Sequence, residues 1–326
     1  MTNKKLKIVV IGGGTGSFVV LSGLRKYNFD LTAVVNVADS GGSTGRLRTE
    51  FGFLPVGDMR QCLAALASDN NIKKILLYRF NKGKGLVGHN LGNLILTALT
   101  DIVSSEPKAI EIAARIFRLK GKILPITTKN IQLKAIYKDN TVITGQHEID
   151  EPIHIGGKQI IKLETVPRAR IYKNSYQAIK MADIIILGPG DLYTSILPNL
   201  IINGVKQAFQ ESKAKIIYIV NLMTRFSQTD KFTAKDHVGE IEKYIGKKLN
   251  YVLINTGKIP KKINNIYKKE KSFKVLDDLG NNNYFKIIRK DFVAPSLIVR
   301  NKADVLHRSY LRHDSNKLAK TIISLV

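Results

Sequence analysis

Short apolar runs recur along the 326-residue chain, separated by glycine-rich or polar turns and by segments with helical spacing. Leu6–Ile11, Leu31–Val37, Asp183–Leu187, Lys215–Val220 and Tyr251–Ile254 have strand length and little polar alternation. That is the pattern of strands buried on both faces, as in a parallel sheet. Helical spacing covers Ser17–Lys26, Asp58–Ala67, Asn90–Val103, Pro107–Leu119, Ser175–Met181 and Ala234–Tyr244, and Asn316–Leu325 reads as a short closing helix. Strands alternating with helices predict an α/β fold with a doubly wound, mostly parallel sheet.

From about Lys122 to Tyr172 the texture changes. Alternating runs such as IQLKAIY, TVITG and QIIKLE, with turn signals at Lys138–Asn140 and Gly156–Gly157, predict antiparallel hairpins. We read residues 122–172 as a β-rich insertion in one α/β domain spanning residues 1–326. His147 and His154 stand near Glu148, Asp150 and Glu151, but their spacing fits no standard zinc site, so they read as surface residues.

The glycine and polar motifs all follow predicted strands. Ile11 leads into GGGTG, Val37 into ADSGGSTGR, Leu187 into GPGD, Val220 into NLMT and Ile254 into NTG. In an open parallel sheet these positions share the carboxyl edge, where ligands bind. Gly12–Gly16 can offer bare backbone N–H groups to a phosphate at a helix N-terminus. It is not the dinucleotide fingerprint, because Ser17 or Val19 occupies the third glycine position, and no P-loop sequence occurs. Asp39–Arg48, DSGGSTGRLR, reads as a long loop and a second anion cradle, with Arg46 and Arg48 placed to clamp phosphate oxygens. Its literal GxSxG lacks the direct strand–serine–helix context of a hydrolase elbow. Asp58 reads as an N-cap that could also join Asp39 in holding Mg²⁺ against a pyrophosphate. His89 and Asn90 open a further helix, His89 as a phosphate ligand or an acid and Asn90 as its cap. Asp191 reads as another N-cap, where a carboxylate would repel phosphate unless a cation offsets it.

Composition narrows the class. No apolar run approaches the ~20 residues of a membrane helix, so a membrane span is not expected. A single cysteine, Cys62, cannot form an internal disulfide, and cytoplasmic residence is expected. Its helical context reads as a buried structural thiol. The formal charge is +26, but the lysines are spread along the whole chain among many Asn and Ile. The densest stretch, Lys258–Lys274, has helical spacing and reads as a solvated face. Nucleic acid is therefore disfavoured as the main partner, while polyanionic small ligands are favoured.

Together the motifs resemble the YvcK/CofD-like family, on its bacterial YvcK branch of gluconeogenesis factors. The resemblance rests on IGGGTG at 11–16, VADSGGSTGRLR at 37–48, VGDMRQCLAALA at 56–67 and GHNLGNL at 88–94. It continues with LGPGDLYTSILPNL at 187–200, NLMT and FTAKDHV between 221 and 238, and RHDSNKLA at 312–319. It implies a Rossmann-like three-layer α/β/α domain with a β insertion, and a cytoplasmic protein that binds UDP-sugars such as UDP-N-acetylglucosamine. It also implies a link to gluconeogenic growth, cell shape and envelope synthesis, with protein partners in cell-wall synthesis and room for homo-oligomers. The CofD branch instead implies a Mg²⁺-dependent 2-phospho-lactate transferase of deazaflavin-cofactor synthesis. The long SGGSTGR segment favours the YvcK side, and a regulatory protein over an enzyme.

Carried over by motif, Gly13, Gly14, Thr15 and Gly16 would contact the nucleotide, with Asp39, Gly41, Gly42, Ser43 and Arg46 lining the same cleft. His89, Asn90, Asn93, Gly188, Gly190 and Asn221 would face it. Tyr267 and Arg312 match positions associated with the UDP-sugar, and Ser315 follows as a candidate phosphorylation position. The chain departs from the family pattern at three places: Ser40 for an acid, Asp191 for a serine, and the pair Ser227-Gln228 for Gly-Glu. The first weakens a two-carboxylate Mg²⁺ site at Asp39 and Asp58.

Overall fold

The computed structural model describes residues 5–151, 158–281, 284–295 and 309–326. The expected Gly156–Gly157 turn and His154 lie outside the described residues.

The chain opens with β1 (Lys7–Gly12), α1 (Gly14–Leu24) and β2 (Asp30–Val35). Ile8, Val10 and Ile11 are fully buried, as strands covered on both faces require. Next come α2 (Gly42–Phe51), α3 (Gly57–Leu66), α4 (Asn70–Leu77), α5 (Leu91–Val103) and α6 (Glu106–Ile116). Cys62 is fully buried in α3, and that burial pushes its thiol pKa up. Then β3 (Lys122–Pro125) precedes β4 (Gln132–Tyr137), β5 (Val142–Thr144), α7 (Gln146–Asp150) and β6 (Ile160–Val166). The α/β rhythm resumes with α8 (Lys173–Lys180), β7 (Ile184–Leu187), a π-helical turn at Leu192–Ile196, α9 (Leu197–Leu200), α10 (Val205–Glu211) and β8 (Lys215–Ile219). The last elements are α11 (Ala234–Ile245), β9 (Tyr251–Asn255), α12 (Lys261–Lys269), β10 (Lys286–Lys290) and α13 (Ser315–Ile323).

Among the described residues the main sheet has seven strands in the order β10-β9-β8-β7-β1-β2-β3. Every pairing within it is parallel. The chain winds outward from β1 through β2 to β3, then crosses to the other side of β1 and winds outward from β7 to β10. The winding therefore reverses between β1 and β7. At such a point the two connections leave in opposite directions and a crevice opens beyond the carboxyl ends. The fold is the expected Rossmann-like α/β architecture. A separate antiparallel sheet, β5-β4-β6, forms the insertion, with Leu133, Ala135 and Tyr137 of β4 buried in the main core.

Four local expectations need correction. Lys122–Pro125 belongs to the main sheet, paired with β2 at its edge. Residues 42–51, expected as loop, form α2. Gly42 enters the helix at φ +52°, and Gly45 serves close packing, because a β-carbon there would collide with the Ser40 carbonyl. Asp58 is not a cap, since α3 starts at Gly57 with Val56 before it. Helix α4 was not expected; Asp69 caps it by accepting from the Asn71 N–H at 2.7 Å. In α12, Ile263 and Tyr267 are buried while its lysines are exposed, the solvated face the spacing predicts.

Helix α1 packs on α13 so closely that a β-carbon on Gly23 would collide with the Ser315 carbonyl and reach 3.0 Å from Ala319 Cβ. Gly23→Ala should therefore cost about 1–3 kcal/mol of unfolding free energy. Gly239, exposed inside α11 with open space around it, should gain about 0.5–1 kcal/mol as Gly239→Ala. Denaturant midpoints of the two variants should move in opposite directions.

Candidate functional site

The crevice at the β1/β7 reversal is a cavity of about 690 Å³, within the usual range for small-ligand pockets. One wall is the turn from β1 into α1. Gly13 is extended (φ −143°) before the helix and makes no side-chain cap, and Gly14 takes φ +51°. This leaves the first N–H groups of α1 without an internal helical partner, at the end whose dipole favours anions. Gly16 sits against the β7 loop, where a β-carbon would collide with the Pro189 carbonyl. The Asp58 carboxylate packs over Gly13 and Gly14, so a β-carbon at Gly13 would displace it.

Asp39, Gly41 and Asp58 extend this wall. Asp39 Oδ1 accepts from the Gly41 N–H at 3.0 Å. Its other oxygen lies beside Gly57, where a β-carbon would sit 2.6 Å away. Among the described residues no cluster of three or more His, Cys, Asp or Glu forms a metal cage. A hydrated Mg²⁺ asks less, one or two carboxylates plus phosphate oxygens, and Asp39 and Asp58 are the acids on this wall that could supply the carboxylates.

Gly42, Ser43, Arg46, His89, Asn90 and Asn93 are not on the wall of this cavity. Ser43 sits in the first turn of α2 and ties it to α5. Its Oγ accepts from the Asn90 N–H (3.3 Å) and from Asn93 Nδ2 (3.2 Å). With both contacts incoming, its own hydrogen is left for His89 Nδ1 at 3.3 Å. Asn93 also accepts from Arg60 Nε at 2.8 Å, and Asn90 caps α5 through the Gly92 N–H at 2.9 Å. Burial, with Arg46 and Arg79, holds His89 below its usual pKa against the pull of Glu50. Exposed Arg46 donates to the Val87 carbonyl at 3.2 Å, and Arg48 to the Ile131 carbonyl at 2.6 Å. These groups buttress the wall: Ser43, Asn93, Asp39 and Asp58 share a small adjoining pocket.

The opposite wall comes from the GPGD and NLMT loops after β7 and β8, which the motifs mark, and from the insertion, which they do not. Gln146, His147, Asp150 and Glu151 line the cavity with Asp191 and Arg225. Asp150 Oδ1 accepts from Thr194 Oγ1 at 2.6 Å and from Gln228 Nε2, and Oδ2 accepts from Gln146 Nε2 at 2.6 Å. Burial pushes the Asp150 carboxyl up in pKa; Arg225 opposes this and Asp191 reinforces it. Arg225 lies 3.5 Å from Asp191 and 4.0 Å from Asp150 and donates to the Asp150 carbonyl at 3.2 Å. Burial alone would lower its pKa, but the carboxylates outweigh it. Asp191, expected to cap a helix, makes no side-chain cap bond and faces Arg225 instead, which supplies the offsetting cation. Ser227 Oγ donates to the Asp150 carbonyl at 3.0 Å, so two residues that depart from the family pattern, Ser227 and Gln228, dock the insertion. His147, expected on the surface, is half-buried on the cavity wall.

Gly190 and Asn221 join the wall, with Asn221 Oδ1 accepting from the Gly190 N–H at 3.2 Å. Gly188 makes the preceding turn at φ +79° and is not on the wall. Tyr267 and Arg312 both line the cavity. The Tyr267 hydroxyl accepts from the Tyr310 and Leu311 N–H groups at 3.1 and 3.3 Å, fixing the segment that carries Arg312.

The match to known proteins follows this geometry. Residues 8–293 match the family described as "2-phospho-L-lactate transferase CofD". A protein of Thermotoga maritima named "Putative gluconeogenesis factor" is 40% identical over 319 residues, 97% of this chain and 98% of that protein. The "Gluconeogenesis factor" of Listeria innocua is 37% identical over 99% of this chain and 96% of its own length. A crystal structure of a Bacillus halodurans protein superposes with TM-score 0.88 at 35% identity, covering 98% of this chain and all of that one.

Tyr267→Phe would strand two N–H groups and should cost about 1–3 kcal/mol in chemical denaturation. His313, on the cavity wall, is held at about 4 by burial, with the Val220 backbone opposing. Its folded pKa is below the ordinary 6.5, so its contribution is present above pH 6.5 and is lost as pH falls toward 4. The stability advantage of wild type over His313→Asn should shrink by up to about 3 kcal/mol across that window. Urea unfolding at a series of pH values measures it.

Proposed function

This chain belongs to the YvcK/CofD-like family, together with proteins named gluconeogenesis factor, and we propose that within it the chain is a nucleotide-sugar-binding regulatory protein. UDP-N-acetylglucosamine represents the ligand class. The observation that carries this reading is the cavity at the β1/β7 reversal, with the N-terminus of α1 on one wall and hydrogen-bonding side chains on the other. A diphosphate suits Gly13–Gly16, where backbone donors and the α1 dipole meet the charge. Asp39 and Asp58 would hold Mg²⁺ there, and the metal would neutralise phosphate oxygens. Tyr267 and Arg312 close the cavity over the nucleotide sugar.

In this proposal the protein acts in the cytoplasm during gluconeogenic growth and reports the nucleotide-sugar supply to partners in cell-wall synthesis, with effects on cell shape. His89, the acid suggested by the sequence, is bonded to Ser43 off the cavity wall, which supports binding over turnover. The second reading is the CofD-type phospholactate transferase, favoured by the family description and by the Asp39 and Asp58 carboxylates on the cavity wall.

Calorimetry separates the two. UDP-N-acetylglucosamine should bind saturably, and Arg312→Ala should weaken it by about tenfold or more, ~1.4 kcal/mol, with the unfolding midpoint retained. Asp58→Asn should abolish any Mg²⁺ enhancement. Metal-dependent binding of a guanine nucleotide with no response to UDP-sugars would overturn the first reading.

A further inference from the structure

The opposite edge of the sheet has a cleft of about 750 Å³ where β1, β2 and β3 begin. Among the described residues its cations are Lys5, Lys7, Arg25, Lys26, Lys120 and Lys122, and its only lining acid is Asp30. A second acid nearby, Asp183, accepts the Lys7 backbone N–H at 2.8 Å. The contrast with the carboxyl-edge cavity, lined by Asp39, Asp58, Asp150, Glu151, Asp191 and Glu270, is sharp.

Helix ends explain part of this cluster. Arg25 and Lys26 follow the C-terminus of α1, where cations offset the dipole. Lys5 and Lys7 stand at the start of β1, and Lys120 and Lys122 beyond α6 at the start of β3, so that account does not reach them. Their ammonium groups form no ion pair with another described residue. Arg25 is held at the cleft by its Nη1, which donates to the Ala67 carbonyl at 2.6 Å. A concave surface of uncompensated cations also focuses potential on a multiply charged ligand.

The cleft is not charge alone. Tyr27, 40% exposed, lines it beside Phe29, the two rings 6.2 Å apart. An exposed aromatic face among cations suits a planar ring that carries phosphates. We propose that the amino-edge cleft is a second ligand site, taking a nucleoside polyphosphate with its phosphates on the lysines and Arg25 and its base on Tyr27. The site is independent of the carboxyl-edge cavity and stands whether or not that cavity binds nucleotide sugars.

Calorimetry at physiological salt, with ATP and inorganic tripolyphosphate as probes, tests it. ATP should bind saturably, and saturating UDP-N-acetylglucosamine should leave its affinity unchanged. Lys5→Glu/Lys122→Glu, both at exposed positions, should weaken ATP at least about tenfold. Lys261→Glu/Lys262→Glu, the same charge change on exposed α12, should change it less than about twofold. Tyr27→Ala should weaken ATP and leave tripolyphosphate unchanged. Equal losses in the two double variants would mean diffuse charge attraction and overturn the proposal. So would non-saturable binding, ATP affinity unmoved by Tyr27→Ala, or competition with UDP-N-acetylglucosamine.

Discussion

The position of β1 between β2 and β7 is the constraint on which this molecule depends. Because the chain winds away from β1 in both directions, the connections beyond its carboxyl end part and leave a crevice. The first turn of α1 and the Gly188–Asp191 loop must then pass within backbone contact. Gly16 has no space for a side chain against the Pro189 carbonyl, and a β-carbon at Gly13 would displace Asp58. Bulk at these positions would push the loops apart and fill the space a ligand needs. Gly16 is thus required by packing, and that close approach sets the α1 N-terminus at the crevice.

Charge adds a second layer. The chain carries +26, yet its carboxyl-edge cavity is lined with acids. Most of that acidity is engaged. Arg225 lies between Asp150 and Asp191, and the insertion is latched to the core through Asp150, Thr194, Gln228 and Ser227. Breaking one partner of such a partly buried pair costs more than the pair's net contribution, because it leaves the other charge uncompensated. The insertion is therefore held by a network whose members depend on one another. Asp39 and Asp58 sit apart from it, across the cavity, beside the helix terminus.

Much of this could be read from the residues alone. The apolar runs located the strands of the main sheet that precede the motifs, and the motifs after them marked one edge, because a parallel sheet puts all its strand ends in register. What escaped was of two kinds. Glycine has two physical uses, and in α2 Gly45 serves close packing rather than a turn, so a helix was read as loop. The Asp150–Arg225 latch joins residues far apart in sequence, and neither has neighbours that mark it; only the departure at Ser227-Gln228 hinted that this loop had changed. His89 and Asn93 lie in the expected neighbourhood, but Ser43 draws them behind the wall rather than onto it.

The central claim is that the β1/β7 crevice binds a nucleotide sugar through the α1 terminus. Backbone amide chemical shifts, followed by ¹⁵N NMR during titration with UDP-N-acetylglucosamine, test it most directly. The account predicts saturable shifts at Gly14, Thr15, Gly16 and Gly190, with Gly83 and Gly85, between α4 and α5 and off the cavity wall, unmoved. Saturable binding that leaves the Gly14–Gly16 amides unchanged and shifts residues elsewhere would contradict it.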